Sequence, residues 1–382
     1  MERQSQARKL ASTDARSVIL LLPYGVLGAA EDYVLLLADG LADRGWRVFV
    51  AHPLSVPIDE SRTSLAWDPI GIPDAAMVRP RALTSYLRPL RPDLVHVNQV
   101  VLPSIAAGTL MRDCALVVTA HNPALQHRYS LKGRALAALL TNRPDAWIVL
   151  SDRNRSLLID EHVRPRAIHV VPPGLPPARF DAPLSADDAR ASLGLPAGVF
   201  VVGTVGRLAQ QKRHDVLIKA VSTLTTKIPE LHLVIVGDGE LREQTERLAS
   251  RLIPDNVTFA GQRSDVPRLL VAFDILAMSS DFEGLPFAIL EAMAAGRTIV
   301  TTDVQGAGEA VRNEREGLLV PRRDPDALAT AIGRLATDPA LAAKLAGAAR
   351  VRFLQEFTAD LMVERTEKLY LQVVAANGRR PR

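Results

Sequence analysis

The chain has 382 residues, 48% of them hydrophobic but only 4% aromatic, which suggests two to three domains with cores built from Ala, Val, Leu and Ile. Its 46 basic and 42 acidic residues leave a formal charge of +4, inflated by Arg379, Arg380 and Arg382; nucleic acid binding is not demanded, and an anionic small molecule or membrane surface would suit. The one cysteine, Cys114, excludes an internal disulfide and a cysteine-based zinc site.

Residues 1–16 are polar, lack the apolar stretch of a signal peptide and read as a disordered tail. No apolar run approaches the roughly eighteen residues of a membrane span. A cytoplasmic protein is expected, with any membrane contact peripheral and at the inner face.

The apolar run 18–22, ended by Pro23, has the pattern of a buried strand. A turn from Gly25 to Glu31 and a helical pattern over 32–44 follow, and Gly45 stops the helix. With the strand 47–51, this order reads as the start of a doubly wound parallel sheet. Residues 53–80 are rich in Pro, Asp and Ser and read as loop with one short extra strand. A helix over 82–90, a strand over 93–97, a helix over 104–111 and a strand over 115–120 continue the alternation. The last strand ends in His121-Asn122-Pro123, at the carboxyl edge where such sheets bind ligands. A helix over 126–142 carries Arg128, Lys132, Arg134 and Arg143 among leucines and alanines. That pattern suits a solvated basic face or contact with anionic lipid. A strand over 147–150, a helix over 153–161 and a strand over 168–171 close the first domain.

Pro172-Pro173-Gly174-Leu175-Pro176-Pro177 is the sharpest composition shift and bars helix. The domains are drawn at 17–180 and 197–357, with the linker at 181–196. The second domain repeats the first: strands over 200–205, 231–236, 257–260, 274–278, 298–301 and 317–320 alternate with helices over 215–227 and 240–251. A short helix capped by Asp265 lies between the third and fourth of these strands, and 303–309 reads as loop. Asp324-Pro325 caps a helix reaching about residue 336. Helices over 339–357 and from about 358 to 377 complete the chain. The segment 358–382 is expected to cross back and brace the first domain, ending in a basic tail.

Three groups of residues could carry chemistry. Glu283 and Glu291 bracket the entrance of a helix that begins Gly284-Leu285-Pro286-Phe287, just after a buried strand. Free amides near 285–288 and the positive end of the helix dipole face the same space. Arg207 and Lys212 lie on the loop that starts at Gly206, where two cations can neutralise a diphosphate without a metal. His121 ends a strand and could position a hydroxyl; His96, in Val-His-Val, reads as core. Asp324-Pro325-Asp326 has a D-x-D form, but a helix cap explains it. No H-E-x-x-H, G-x-x-x-x-G-K-[ST] or G-x-S-x-G occurs.

These motifs resemble the retaining glycosyltransferases of the GT-B fold, specifically glycosyltransferase family 4. Glu283-x7-Glu291 is similar to the family's E-x7-E motif. The loop Gly206-Arg207-Leu208 through Lys212 is similar to G-R-L-x-x-x-K, and 234–239 to the V-G-x-G segment. The match extends through Ala294-Ala295-Gly296, Thr301-Thr302-Asp303, Glu309 and 317–320, and is looser in the first domain.

The resemblance implies an α/β architecture of two Rossmann-like parallel-sheet domains facing across a cleft. It implies a nucleotide-diphosphate sugar as co-substrate, no metal and no other cofactor. Arg207 and Lys212 would hold the diphosphate, Glu291 the ribose and Glu283 the transferred sugar. Gly206, Gly237, Arg263, Gly284, Leu285 and Phe287 would complete the donor site, partly through main-chain amides. His121 matches a first-domain histidine beside the sugar, and Gly28 a glycine turn that closes over the phosphates. The catalytic set is then Arg207, Lys212, Glu283 and His121. The implied reaction is front-face transfer of a hexose-type sugar to an acceptor hydroxyl, with retained configuration. The acceptor is left open among lipid-linked sugars, polysaccharide ends and natural products.

The sequence departs from the family at the junction (Pro172 to Pro176), at Gln305-Gly306 and Gly308, and at Gly28-Ala29-Ala30-Glu31, where one glycine is lost. A GT-B epimerase, a phosphorylase or a non-catalytic transferase-like subunit are the alternative readings.

Overall fold

The computed structural model describes residues 15–23, 29–56, 58, 66–121, 139–160, 163–181 and 184–378. The chain forms two compact units, Met1–Gly174 with Ala359–Arg382, and Leu175–Thr358.

The first unit holds a seven-stranded parallel sheet. In chain order its strands are β1 (Ser17–Leu21), β2 (Arg47–Pro53), β3 (Asp68–Ile72), β4 (Leu94–Asn98), β5 (Ala115–Ala120), β6 (Ala146–Val149) and β7 (Ile168–Val170). In space they run β3-β2-β1-β4-β5-β6-β7. β1, β4, β5 and β6 are buried along their whole length, as strands covered on both faces by helices must be. The order reverses between β1 and β4, which opens a crevice at the carboxyl ends of these strands.

The last helix, Ala359–Asn377, packs on the Ala29–Asp43 helix and on β5. The expected crossing back is therefore observed, and it has a stereochemical condition. A Cβ on Gly40 would lie 2.5 Å from a Val363 methyl, so glycine lets the two helices close. The Trp46 indole donates to Glu367 Oε1 at 2.9 Å, and Tyr370 is fully buried.

The second unit repeats the plan with β8 (Phe200–Val205), β9 (Leu231–Val236), β10 (Val257–Gly261), β11 (Ile275–Met278), β12 (Thr298–Thr302) and β13 (Leu318–Val320). Their spatial order is β10-β9-β8-β11-β12-β13, all parallel, reversing between β8 and β11. Asp324 caps the Pro325–Thr337 helix through a 2.9 Å bond from the Ala327 amide. Its carboxylate therefore does the work of a cap, as the Asp-Pro pair suggested.

Three expectations need correction. Within 181–196, expected as linker, the Ala186–Ser192 helix buries Ala189, and Arg190 grips both carboxylate oxygens of Asp274 at 3.1 and 2.9 Å. The segment is part of the second unit because that ion pair and apolar burial tie it there. Residues 303–309, expected as loop, run into the Gln305–Ala310 helix. Two glycines make it a poor helix former, but close packing under Gly306 overrides propensity. Asp265 does not cap the Val266–Leu269 helix through its side chain; Arg263 takes both of its carboxylate oxygens. Most of the basic helix expected over 126–142 lies outside the described residues. No helix among the described residues is long and apolar enough to cross a membrane.

Gly203, on β8, sits against the Phe273 ring; a Cβ there would lie 2.1 Å from Cδ2, and Phe273 is 1% exposed. The ring has nowhere to go. Gly203→Ala is expected to destabilise the second unit by about 1–3 kcal/mol, the usual cost of overpacking, read as a lower midpoint in urea unfolding.

Candidate active site

The site of the second unit gathers at the carboxyl edge of its sheet. The loop after β8 carries Gly206, Arg207 and Lys212; the loop after β11 carries Glu283 to Pro286. These are the two strands between which the order reverses, so their loops flank the crevice. Across it, Lys212 Nζ donates to Glu283 Oε1 at 2.6 Å, with side-chain exposures of 17% and 9%. Ser280 Oγ donates to the same oxygen at 2.6 Å. Among the described residues Oε2 accepts no hydrogen bond, so one carboxylate oxygen is left for another partner. Lys212 likewise has two ammonium hydrogens beyond the one given to Glu283.

The two loops are fastened to one another. The Asp281 amide donates to Gln211 O at 2.7 Å, and Ser279 Oγ to the carbonyls of Lys212 and Arg213 at 2.9 and 2.8 Å. Asp281 also receives Arg323 through two bonds, at 2.9 and 2.8 Å, and Arg213 at 3.4 Å. The Arg323 bonds, then the charges of Arg213 and Arg323, hold the Asp281 carboxyl below its usual range. Asp281 is therefore a structural anchor, negatively charged at neutral pH.

Glycines bring further backbone into the site. A Cβ on Gly237 would lie 2.0 Å from the Gly206 carbonyl oxygen, and one on Gly206 would lie 3.3 Å from Lys212 Cε. Gly237 also has φ +136°, a region that favours glycine. The loop after β9 thereby lies on the Lys212 loop, and Leu208 N bonds Asp238 O at 2.9 Å. Gly306 does the same on the other side. Its amide donates to Glu283 O at 3.2 Å, and an added Cβ would lie 1.3 Å from the Gly284 carbonyl oxygen.

The Phe287–Ala294 helix starts one residue later than its proline suggested: Pro286 is the N-cap, with φ −71° and ψ 122°. The first-turn bonds run to the Pro286 carbonyl from the amides of Ile289 and Leu290. The amides of Phe287 and Ala288 lack intrahelical acceptors, as at any helix start, and carry the positive end of the dipole. Leu285 is buried, Gly284 and Phe287 are half-buried, and Glu291 is a half-buried member of the second helical turn.

The remaining expected residues fall differently. Arg207 is well exposed, its Nε 3.9 Å from Glu240 Oε2. Arg263 is engaged by Asp265 at 2.8 and 2.7 Å, so only a ligand that displaces or shares that pair could use it. Gly28 lies outside the described residues. Ser280 and Asp281 are given no role by the sequence, and Gly306 stands out there only as part of a departure from the family pattern. Asp281 and Gly306 carry no local signal for partners tens of residues away, and a loop serine three residues before a glutamate has no pattern that marks it as a partner.

In the first unit, His121 lies at the carboxyl end of β5. Its ring meets the Tyr33 ring edge-on at 5.0 Å, and its buried Nε2 has no partner among the described residues. Burial pushes its pKa down to about 4, so the imidazole is neutral at pH 7. Two residues earlier, Thr119 Oγ1 bonds His96 Nε2 at 2.6 Å, and His96 Nδ1 bonds the Tyr370 hydroxyl at 2.5 Å. His96 is thus the expected core histidine, and a neutral ring suits two hydroxyl partners by donating once and accepting once. Among the described residues no cluster of three or more His, Cys, Asp or Glu could hold a metal ion.

Residues 185–352 match the family model described as Glycosyl transferases group 1, and residues 30–179 match that of Glycosyltransferase Family 4. The chain is 30% identical to UDP-Gal:alpha-D-GlcNAc-diphosphoundecaprenol alpha-1,3-galactosyltransferase of Escherichia coli, over 77% of this chain and 79% of that one. It is 37% identical to a D-inositol 3-phosphate glycosyltransferase of Salinispora tropica, over 58% of this chain but only half of that protein. Among solved structures it is similar to Anabaena HepE in complex with UDP and glucose, with TM-score 0.80 and 23% identity, covering 92% of this chain and 98% of that one.

Two expectations follow from this geometry. Gly306→Ala should displace the Glu283–Leu285 loop, lowering stability and costing nucleotide affinity at least about tenfold, read by titration calorimetry with nucleoside diphosphates. Burial also lowers the pKa of His96 to about 3, and of His121 and His214 to about 4, from 6.5. The unfolded chain binds more protons in that window, so stability is complete above pH 6.5 and falls as pH drops toward 4. Each group adds up to about 1.4 kcal/mol per pH unit. All three tryptophans lie in the first unit, so urea unfolding followed by tryptophan fluorescence reports that unit. His96→Asn should show a shallower loss between pH 6.5 and 4.5 than the parent chain.

Proposed function

The chain belongs to glycosyltransferase family 4, and we propose that it moves a hexose-type sugar from a nucleotide-diphosphate sugar to an acceptor hydroxyl, with retained configuration and without a metal. The observation that carries this reading is the Lys212–Glu283 pair, set across the switch point of the second unit's sheet beside the open amides of Phe287 and Ala288. A cation and a helix entrance suit a diphosphate. A carboxylate with one oxygen to spare suits a sugar hydroxyl. Both belong to a single ligand only if that ligand carries both groups.

Arg207 has an exposed side chain on the same loop and can swing to the diphosphate. Lys212 and Arg207 then stabilise the charge that grows on that group as the sugar–oxygen bond breaks. Such stabilisation accelerates the step because it is greater in the transition state than in the ground state. The acceptor oxygen attacks on the face the diphosphate leaves, and its proton passes to the departing phosphate oxygen. No protein nucleophile and no Lewis acid is required. Glu291 is assigned to the ribose, and Gly206, Gly237, Gly284, Leu285 and Phe287 to the loops that shape the donor site. His121, neutral and with Nε2 unspent, is assigned to a sugar hydroxyl as donor or acceptor. Arg263 is the weakest assignment, because Asp265 already holds it.

The Escherichia coli relative's name specifies UDP-Gal and a lipid-diphosphate acceptor, and the Anabaena structure contains UDP. The Salinispora relative is named for an inositol phosphate acceptor. UDP-sugars are therefore the first donors to test, and both lipid-linked and small polar acceptors belong in the panel.

Incubation with nucleotide sugars should release nucleoside diphosphate for at least one donor. No release, together with no thermal shift by any nucleotide, would sink the transferase reading in favour of a non-catalytic one. With the active donor, Lys212→Ala and Glu283→Ala should each lower kcat/KM by at least about a hundredfold with the circular dichroism spectrum unchanged. Parent-like turnover in either variant would remove that residue from its role.

A further inference from the structure

The sheet of the first unit has its own switch point, between β1 and β4; Asn98 ends β4 and Gln99 follows it. Asn98 is 1% exposed. Its Nδ2 donates to the His96 carbonyl at 3.3 Å, and its buried Oδ1 accepts no hydrogen bond among the described residues. On β5 the register pairs His96 with Val117 and Asn98 with Thr119. His96 meets Thr119 across a diagonal, with Nε2 and Oγ1 2.6 Å apart. Asn98 and His121 repeat that diagonal two residues nearer the carboxyl edge, on the same face of the sheet. There it stands open: among the described residues neither Asn98 Oδ1 nor His121 Nε2 has a partner.

Gln99 adds a second cost at the same place. Its φ is +134°, in the region that favours glycine, yet the residue is a half-buried glutamine. Backbone strain and a buried oxygen without a partner both lower stability, and they gather where a ligand makes use of them. The groups define that ligand. Asn98 Oδ1 can only accept, and the His121 imidazole, neutral at pH 7, can donate or accept. A carboxylate or phosphate dianion has no hydrogen to give Oδ1, and neither group carries a charge to balance a buried ion. A ring with adjacent hydroxyls supplies donors and acceptors together. His121 and Gln99 are half-buried, so such a ring reaches the deeper Asn98 past them.

We propose that Asn98 and Gln99 are specificity-determining residues that, with His121, hold adjacent hydroxyls of a neutral sugar or cyclitol ring at the carboxyl edge of the first unit's sheet. The ring is either the acceptor or the sugar being transferred, since both present the same hydroxyls. Only that choice rests on the transferase reading; the binding of a neutral ring does not.

The test uses the full chain without nucleotide. The probes are methyl α-glucoside, methyl α-galactoside, N-acetylglucosamine and myo-inositol, titrated by saturation-transfer NMR. At least one should bind, and Asn98→Ala should weaken it by at least about tenfold. The melting temperature of that variant should stay level or rise, because the unpaired oxygen is gone. Gln99→Gly, which accepts the observed φ, should likewise keep or raise the melting temperature while weakening the same probe. Parent-like affinity in Asn98→Ala overturns the proposal, in favour of a buried water at Oδ1, as does failure of all four probes to bind the parent chain. If Asn98→Ala loses melting temperature together with affinity, Gln99→Gly decides. Weaker binding at parent-like stability then upholds the proposal, and parent-like binding overturns it. With an active donor, Asn98→Ala separates the two rings. A raised acceptor KM with unchanged donor hydrolysis identifies the acceptor; slower hydrolysis identifies the transferred sugar. If no donor turns over, the transferase reading fails while the probe titrations still test this site.

Discussion

The geometry of the second unit depends on a lysine and a glutamate withdrawn from water together. Lys212 and Glu283 stand 71 residues apart in the chain and 2.6 Å apart in space. Neither charge is well hydrated there, and removing one alone would strand the other in a poorly solvated place. The pair is better read as a device for position than for stability. It sets a cation and a carboxylate at one point, each with bonding capacity to spare, where the strand order of the sheet reverses.

The surrounding contacts make sense as support for that point. Asp281 fastens the Glu283 loop to the Lys212 loop through Gln211 and Arg213, and to Arg323 beyond them. Ser280 occupies the same carboxylate oxygen as Lys212 and leaves the other open. Gly306 and Gly237 admit neighbouring backbone so closely that any side chain would push the loops apart. The site is thus made rigid largely by groups that need never touch a ligand, as precise positioning requires.

In the first unit a second polar device occupies the core. The Tyr370–His96–Thr119 chain of hydrogen bonds ties the returning C-terminal helix to the sheet two residues before His121. Buried polar groups with partners cost little, and the same groups without partners would cost much. The chain therefore fixes the seat of the last helix more specifically than apolar contact alone. The edge-on contact of Tyr33 with His121 extends that ordered region to the carboxyl edge of the sheet.

Much of the architecture was legible in residue order. Strand and helix alternate with clear apolar periods; Asp324-Pro325 marks a cap, and Arg207, Lys212, Glu283 and Glu291 stand at loops and a helix mouth where ligands bind parallel sheets. Those signals are local, because a buried strand, a cap or a helix start is specified by neighbours within a few residues. The sequence alone therefore determined two doubly wound sheets and which loops stand at their carboxyl edges. Tertiary structure decided that 181–196 folds onto the second unit, that Gln305–Ala310 is helical despite two glycines, and that the Asp265 carboxylate holds Arg263 while only its carbonyl serves the helix start. It also decided which oxygen of Glu283 is taken and which charges Asp281 gathers. Those outcomes turn on which strand lies beside which, and on clearances of a few ångströms between segments tens of residues apart, which no local pattern encodes.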